Sequence, residues 1–183
     1  MNPVLAARRA GVLLHPTSLP GRGPNGRLGA DAWQFVDFLR AGGFSVWQML
    51  PLGPVDSYGS PYCLRSAYAG DARLVDPDYL ASARDLPRGI DFDPAPEHRL
   101  AAYRSFRRGA APEQVRAFAQ YVRRARRWLV PYGLFEVCSE QCGGAPWWEW
   151  PEPLRNRSAP ALRALGAAEK ESFRAALFVQ YLF

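Results

Sequence analysis

Seven consecutive residues, Asp56-Ser57-Tyr58-Gly59-Ser60-Pro61-Tyr62, carry the densest chemistry in the chain. Their hydroxyls can exchange hydrogen bonds with a polyhydroxylated ligand, and their two phenol rings can cover the apolar C–H faces of a sugar. Stretches rich in Gly, Pro, Ser and Tyr are also ordinary turns, so composition alone leaves binding the minority reading. His15 is the one histidine placed at a predicted strand end. It has no Ser or Cys at triad spacing and reads more readily as a hydrogen-bonded scaffold residue than as a catalyst. Thr17 and Ser18 beside it read as hydroxyls that fix their own loop. Gln48 either reaches a ligand or satisfies buried polar groups. Asp37, Asp71, Asp76 and Glu149 are of the type that works in pairs on glycosidic bonds. Nothing in their spacing pairs them, so no catalytic residue is assigned.

These residues need a frame that brings their loops together. Gly11-Val12-Leu13-Leu14-His15 is a short apolar run stopped by Pro16, and Ser45-Val46-Trp47-Gln48-Met49-Leu50 is a second, closed by Pro51. Between them Ala32, Phe35, Val36 and Leu39 repeat at the spacing of one helix face, which predicts a helix over 31–41. Gly42-Gly43 ends it, because Gly enters the left-handed cap without a Cβ clash. Strand, helix, strand makes a βαβ unit with strands 11–15 and 45–50 parallel. Ligands of parallel α/β sheets gather beyond the carboxyl ends of the strands. Those ends feed residues 15–21 and 51–62, where the chemistry lies. Residues 71–77 are expected to add a short extended piece.

The chain has 183 residues, 23 Lys+Arg against 17 Asp+Glu, a net charge of +6 and a pI near 9.6. Only Lys170 among the basic residues is lysine. This arginine bias has no accompanying nucleic-acid motif, so no nucleic-acid partner is expected. Cys63, Cys138 and Cys142 sit at no zinc spacing, and no metal or cofactor is expected; they read as reduced thiols. The amino-terminal residues lack a signal-peptide core and no apolar run spans a bilayer, so the expectation is a soluble, cytoplasmic protein.

Beyond Pro77 the pattern becomes helical. Residues 85–96 read as a Pro- and Asp-rich connector and 97–108 as a helix ended by Gly109. The clearest helix is 113–129, with Pro112 in its first turn and a stripe of Val115, Phe118, Ala119, Val122 and Leu129. Arg123, Arg124 and Arg127 turn away from that stripe, whereas Arg126 falls inside it and must snorkel or find a carboxylate. Pro131 predicts a kink or break, followed by another short helix that Gly143-Gly144 ends. Trp147, Trp148 and Trp150 read as packed residues before sugar-stacking ones. Residues 172–183 are strongly apolar and stop without a cap, which suggests a fragment cut in mid-helix.

Four blocks in order, Gly11-Val-Leu-Leu-His-Pro-Thr-Ser-Leu-Pro-Gly21, Trp47-Gln-Met-Leu-Pro-Leu-Gly-Pro54, Ser60-Pro-Tyr62 and Ser66-Ala-Tyr-Ala-Gly70, resemble the amylomaltases. These are the 4-α-glucanotransferases, or disproportionating enzymes. The likeness continues more loosely through Trp147 to Arg157 and Gln180 to Phe183. It implies an α/β fold: the first two βα units of a (β/α)8 TIM barrel plus a mostly helical inserted subdomain, truncated before the third strand. A typical barrel needs about 250 residues. The implied division is 1–76 for the start of the barrel, 77–166 for the subdomain and 167–183 for the start of a barrel helix. The resemblance implies retaining transfer of a 1,4-α-glucan segment to the 4-hydroxyl of an acceptor, acting on maltose, maltodextrins and starch or glycogen fragments. Ser60, Pro61 and Tyr62 match the family's donor-side motif, and His15, Gln48 and Tyr58 stand beside it as further substrate-binding candidates. Gly59 replaces the acidic residue that many relatives carry. The family's catalytic carboxylates fall beyond Phe183, so the chain alone is expected to be inactive. The other reading open to it is a non-catalytic α-glucan-binding or structural module.

Overall fold

The computed structural model describes residues 7–21, 23–56, 58–83 and 95–183. Among them the protein is mostly helical, with one two-stranded sheet, and it divides into two compact units, 1–79 and 80–183. Most of the connector expected over 85–96, and Ser57 of the chemically dense loop, lie outside the described residues.

In the first unit β1 (Gly11–Leu13) and β2 (Val46–Gln48) pair in parallel, Gly11 against Val46, Val12 against Trp47 and Leu13 against Gln48. Both strands are shorter than the predicted runs. Residues 14, 15, 49 and 50 leave the ladder to begin the loops, although Leu14 N–H still reaches the Gln48 carbonyl at 3.1 Å. The helix between them, α1 (Ala30–Ala41), carries Asp31 in its first turn, where the dipole favours a carboxylate. It buries Ala32 and Leu39, and Phe35 meets Trp47 edge-on at 4.9 Å. Gly43 at φ +76° closes the helix. The expected extended piece at 71–77 is a 3-10 turn over Ala72–Leu74, with a single bridge from Val75 to Leu28. A further helix, α2 (Pro77–Ala83), starts with Asp76 accepting the Tyr79 N–H at 3.0 Å.

The second unit is a helical cluster of α3 (Pro96–Gly109), α4 (Pro112–Gln141), α5 (Glu152–Arg155), α6 (Ala159–Ala168) and α7 (Lys170–Leu182). Phe106 and Phe178 lie with centroids 4.5 Å apart, and Phe118 meets Phe178 edge-on at 5.6 Å. Leu129, Val137 and Leu177 fill out this core. Burying each such side chain is worth about 1.5–3 kcal/mol. Residues 175–180 and Leu182 are buried, so the apolar run at 172–183 has its partners within this unit. Arg99 of α3 donates to Glu136 at 2.7 Å and also to Glu140, fixing the register of α3 on α4. Removing the Arg99 guanidinium would take the cation away from the buried Glu136 carboxylate, a costly change.

Three helical expectations need correction. The break at Pro131 does not occur: α4 runs 30 residues through it. Pro131 is exposed, so the carbonyl it deprives can be hydrated, and Gly133 two residues on is buried against α7. A Cβ on Gly133 would stand 2.6 Å from Leu177 Cδ2, a close approach that clamps the helix across the proline. No separate helix follows, because Gly143-Gly144 terminates α4 itself. Finally, the buried face of α4 is turned towards Tyr121 and Ala125, and Tyr121 Oη donates to the Gln180 carbonyl at 2.8 Å. Val115, Ala119 and Arg126 are consequently exposed, and Arg126 needs no burial of its charge.

Candidate functional site

The carboxyl ends of β1 and β2 are tied together by side chains. Trp47 Nε1 donates to the Leu14 carbonyl at 2.8 Å. His15 Nδ1 lies 2.7 Å from Thr17 Oγ1 and accepts the Thr17 N–H at 3.3 Å, while Nε2 faces the Pro51 carbonyl at 3.3 Å. Both nitrogens are spent on the two loops. His15 thereby joins residues 15–18 to the start of the second loop. Thr17 lies within the 3-10 turn Pro16–Ser18, with its hydroxyl against the His15 ring. Gln48 ends β2 with an exposed side chain.

The second loop folds back on itself. Pro54 O accepts from Arg65 N at 2.8 Å, Asp56 N donates to Cys63 O at 3.1 Å, and Val55 bridges Leu64 in antiparallel sense. Its tip consists of two tight turns. Asp56 Oδ1 accepts the Tyr58 N–H at 3.0 Å and its carbonyl accepts Gly59 N–H at 3.1 Å. Gly59 then takes φ +73°, a left-handed value for which an acidic residue pays a steric cost. Ser60 Oγ accepts the Tyr62 N–H at 3.4 Å and Ser60 O accepts Cys63 N–H at 3.0 Å. The side chains of Asp56 and Ser60 therefore shape the turn, though the Ser60 hydroxyl proton stays available to a ligand. Tyr58 is 92% exposed and Tyr62 74% exposed.

Ser60, Pro61, Tyr62 and Tyr58 are thus gathered on one tip, and His15 and Gln48 stand at the strand ends from which the loop departs. Tyr68 went unassigned in the sequence, yet it repeats the same device. Ser66 Oγ accepts the Tyr68 N–H at 3.2 Å and the Ala69 N–H at 3.1 Å, and the Tyr68 ring is 74% exposed. The signal was legible as a second Ser-x-Tyr six residues after the first. Rigid turns that display phenols suit a ligand with apolar C–H faces and many hydroxyls, since two-torsion side chains lose little freedom on binding.

Two of the carboxylates considered for acid–base chemistry, Asp71 and Asp76, have other roles. Asp71 is buried and takes Arg73 through Nε to Oδ1 at 3.1 Å and Nη2 to Oδ2 at 2.6 Å, a bidentate pair. The Asp71 carboxylate, hydrogen-bonded to it, holds the Arg73 guanidinium even more firmly protonated than usual. Asp76 caps α2. Among the described residues, no cluster of three or more His, Cys, Asp or Glu is placed to hold a metal. Cys138 is buried and its thiol is pushed up by that burial, which makes it a poor nucleophile. No described helix is long and apolar enough to cross a membrane.

Residues 14–183 match the sequence profile of the 4-alpha-glucanotransferases. The 4-alpha-glucanotransferase of Thermus thermophilus is 40% identical over 191 residues, covering 96% of this chain and 38% of the relative. That of Synechocystis is 35% identical, covering 98% and 39%. A chloroplastic/amyloplastic 4-alpha-glucanotransferase of Arabidopsis thaliana is 34% identical over 96% of this chain. Among solved structures, an amylomaltase from Streptococcus agalactiae in complex with acarbose superposes with a TM-score of 0.83 at 27% identity, covering 96% of this chain and 39% of its own. The chain therefore spans a little over a third of the length of the relatives it matches.

Proposed function

This chain belongs to the 4-alpha-glucanotransferase family, and from that premise we propose that it forms the donor-binding wall of an enzyme that moves segments of 1,4-α-glucan. The reaction is a retaining double displacement. A carboxylate nucleophile captures the glucanosyl unit, a second carboxyl about 5 Å away acts first as acid and then as base, and a sugar 4-hydroxyl takes the place of water. The substrates are maltodextrins and starch or glycogen fragments, the acceptor is glucose or a shorter glucan, and the setting is the cytoplasm.

The observation that carries this reading is the loop tip, where Ser60 and Tyr62 stand on a turn fixed by its own hydrogen bonds with the Tyr62 ring turned outward. Tyr62 covers a donor sugar face and Ser60 donates to a sugar hydroxyl. Tyr58 and Tyr68 extend the aromatic surface, Gln48 lies at its strand-end margin, and His15 holds the two loops in register. The nucleophile and acid/base come from outside residues 1–183. In support of that, the buried carboxylates among the described residues are bound to arginines, Asp71 to Arg73 and Glu136 to Arg99.

The same reading places β1, α1 and β2 as the opening units of a (β/α)8 barrel. Ala32 and Leu39 mark the buried face of α1, while Trp33 and Phe38 lie exposed on its opposite flanks. Apolar side chains on both flanks suit a helix with a neighbour on either side, as in a ring of helices. The test is glucose release from maltotriose by the full-length protein that contains these residues. Release with the concurrent appearance of longer maltodextrins is expected. Binding of maltodextrin without any transfer would favour the non-catalytic module instead.

A further inference from the structure

Of the three tryptophans expected to be packed, Trp147 and Trp148 are 53% and 58% exposed on the 3-10 turn Trp147–Glu149, and Trp150, the cap of that turn, is the one that is buried. Trp150 closes one side of a cavity of about 200 Å³ within the helical unit. Leu134 and Phe135 of α4, Leu154 of α5 and Leu162 of α6 supply the other walls. The Phe135 and Trp150 rings pack at 5.3 Å into a single aromatic side. The indole N–H of Trp150 is spent on the Ala145 carbonyl at 2.8 Å, and Cys138 adds only a buried thiol, a weak donor. The one charged group in the lining is Arg157. It is exposed and has no ion pair among the described residues. Its φ of +55° is a left-handed value, strained for a residue with a Cβ. Trp150, Leu154 and Arg157, all from the stretch Trp147 to Arg157, thus meet at one cavity.

We propose that this cavity is a binding site for a small aromatic carboxylate, with the ring seated against Phe135 and Trp150 and the carboxylate paired with Arg157. Three observations select the ligand. The first is the lining, which carries no hydroxyl, amide or carboxylate side chain. A sugar would bury its hydroxyls there unpaired, whereas an aromatic ring loses nothing by leaving water. The second is size. A cavity of about 150 Å³ lined by Leu, Ile and Phe takes benzene, so one of about 200 Å³ admits a ring with a carboxylate attached. The third is charge. A single guanidinium matches one carboxylate through two parallel hydrogen bonds, and a polyanion finds no second cation in the lining. The pairing also gives the strained position a purpose. Glycine would hold φ +55° without cost, and backbone strain collects where a side chain clamps a ligand.

The experiment titrates the full-length protein and its Arg157→Gly and Leu162→Trp variants with benzoate, benzyl alcohol and acetate in a calorimeter, and melts each protein without ligand. Wild type should bind benzoate more tightly than benzyl alcohol, and acetate not measurably. Arg157→Gly should weaken benzoate about tenfold, the worth of one charge-assisted contact, and leave benzyl alcohol unchanged. It should melt no lower than wild type, because glycine relieves the left-handed φ. Leu162→Trp fills the cavity and should abolish binding of both aromatic ligands. Absence of saturable benzoate binding to wild type overturns the proposal, and is the outcome if a segment outside residues 1–183 occupies the cavity. Equal benzoate affinity in wild type and Arg157→Gly overturns it too, as does benzoate binding that survives in a folded Leu162→Trp protein. Where Leu162→Trp does not fold, the contrast between benzoate and benzyl alcohol on Arg157→Gly decides alone.

Discussion

His15 Nε2 faces the Pro51 carbonyl at 3.3 Å and so joins the exit of β1 to the first residue of the loop that leaves β2. With Nδ1 held by Thr17, the imidazole spans the two loops. His15→Ala in the full-length enzyme should cost about 1–2 kcal/mol of stability, the worth of one or two hydrogen bonds. It should raise KM for maltotriose more than it lowers kcat, because the loop that carries Tyr62 loses its footing. A large loss of kcat with KM and stability intact would make His15 a catalytic group.

Gly133 and Leu177 set the distance between α4 and α7. Alanine favours a helix over glycine by about 1 kcal/mol, but here its Cβ would meet Leu177 Cδ2 at 2.6 Å and Phe173 at 3.0 Å. Leu177 is fully buried and cannot swing clear. Overpacking of this kind costs about 1–3 kcal/mol. The net expectation for Gly133→Ala is a melting midpoint lower by about 2–4 °C. A rise would show that α7 can slide away.

Tyr121 predicts how the helical unit responds to alkali. Burial pushes its phenol above the usual range, and Oη donates to the Gln180 carbonyl. The folded state therefore keeps this proton at pH values where the unfolded chain has released it. The contribution is complete below about pH 10 and is lost as pH rises through the raised folded value. Tyr121→Phe should be less stable than wild type at pH 8, with the gap closing above about pH 10. Melting curves across that range check it, and a constant gap would contradict it.

The βαβ unit was legible because each of its signals is local: two apolar runs stopped by proline, one helical stripe, and a Gly pair at its end. The helical unit was less so. Pro131 looked like a kink or break because a proline's local penalty is visible in sequence, whereas the packing of Gly133 on Leu177, from 44 residues away, is not. Arg126 was placed in the buried face because Val115 and Ala119 weighted the stripe to one side, and only Tyr121 reaching Gln180 turns the helix the other way. At the candidate site, Ser60-Pro61-Tyr62 could be picked out by residue type. The use of Ser60 Oγ to hold the Tyr62 backbone, and its repetition at Ser66 and Tyr68, depends on turn geometry. His15 could be read as scaffold or catalyst, and its contact with Pro51, 36 residues away, has no signal in the sequence.

The loop that presents Tyr62 to a donor sugar is the centre of this account, and one comparison bears on it most directly. In the full-length enzyme, kcat/KM for maltotriose is measured for wild type, Tyr62→Ala and Arg124→Ala. Tyr62 is exposed on the loop tip, whereas Arg124 lies on the solvent face of α4. Losing the ring and its hydroxyl should cost about 1–3 kcal/mol, a drop of about tenfold to a hundredfold, with Arg124→Ala unchanged. Equal kcat/KM for Tyr62→Ala and wild type would remove the loop from the donor site.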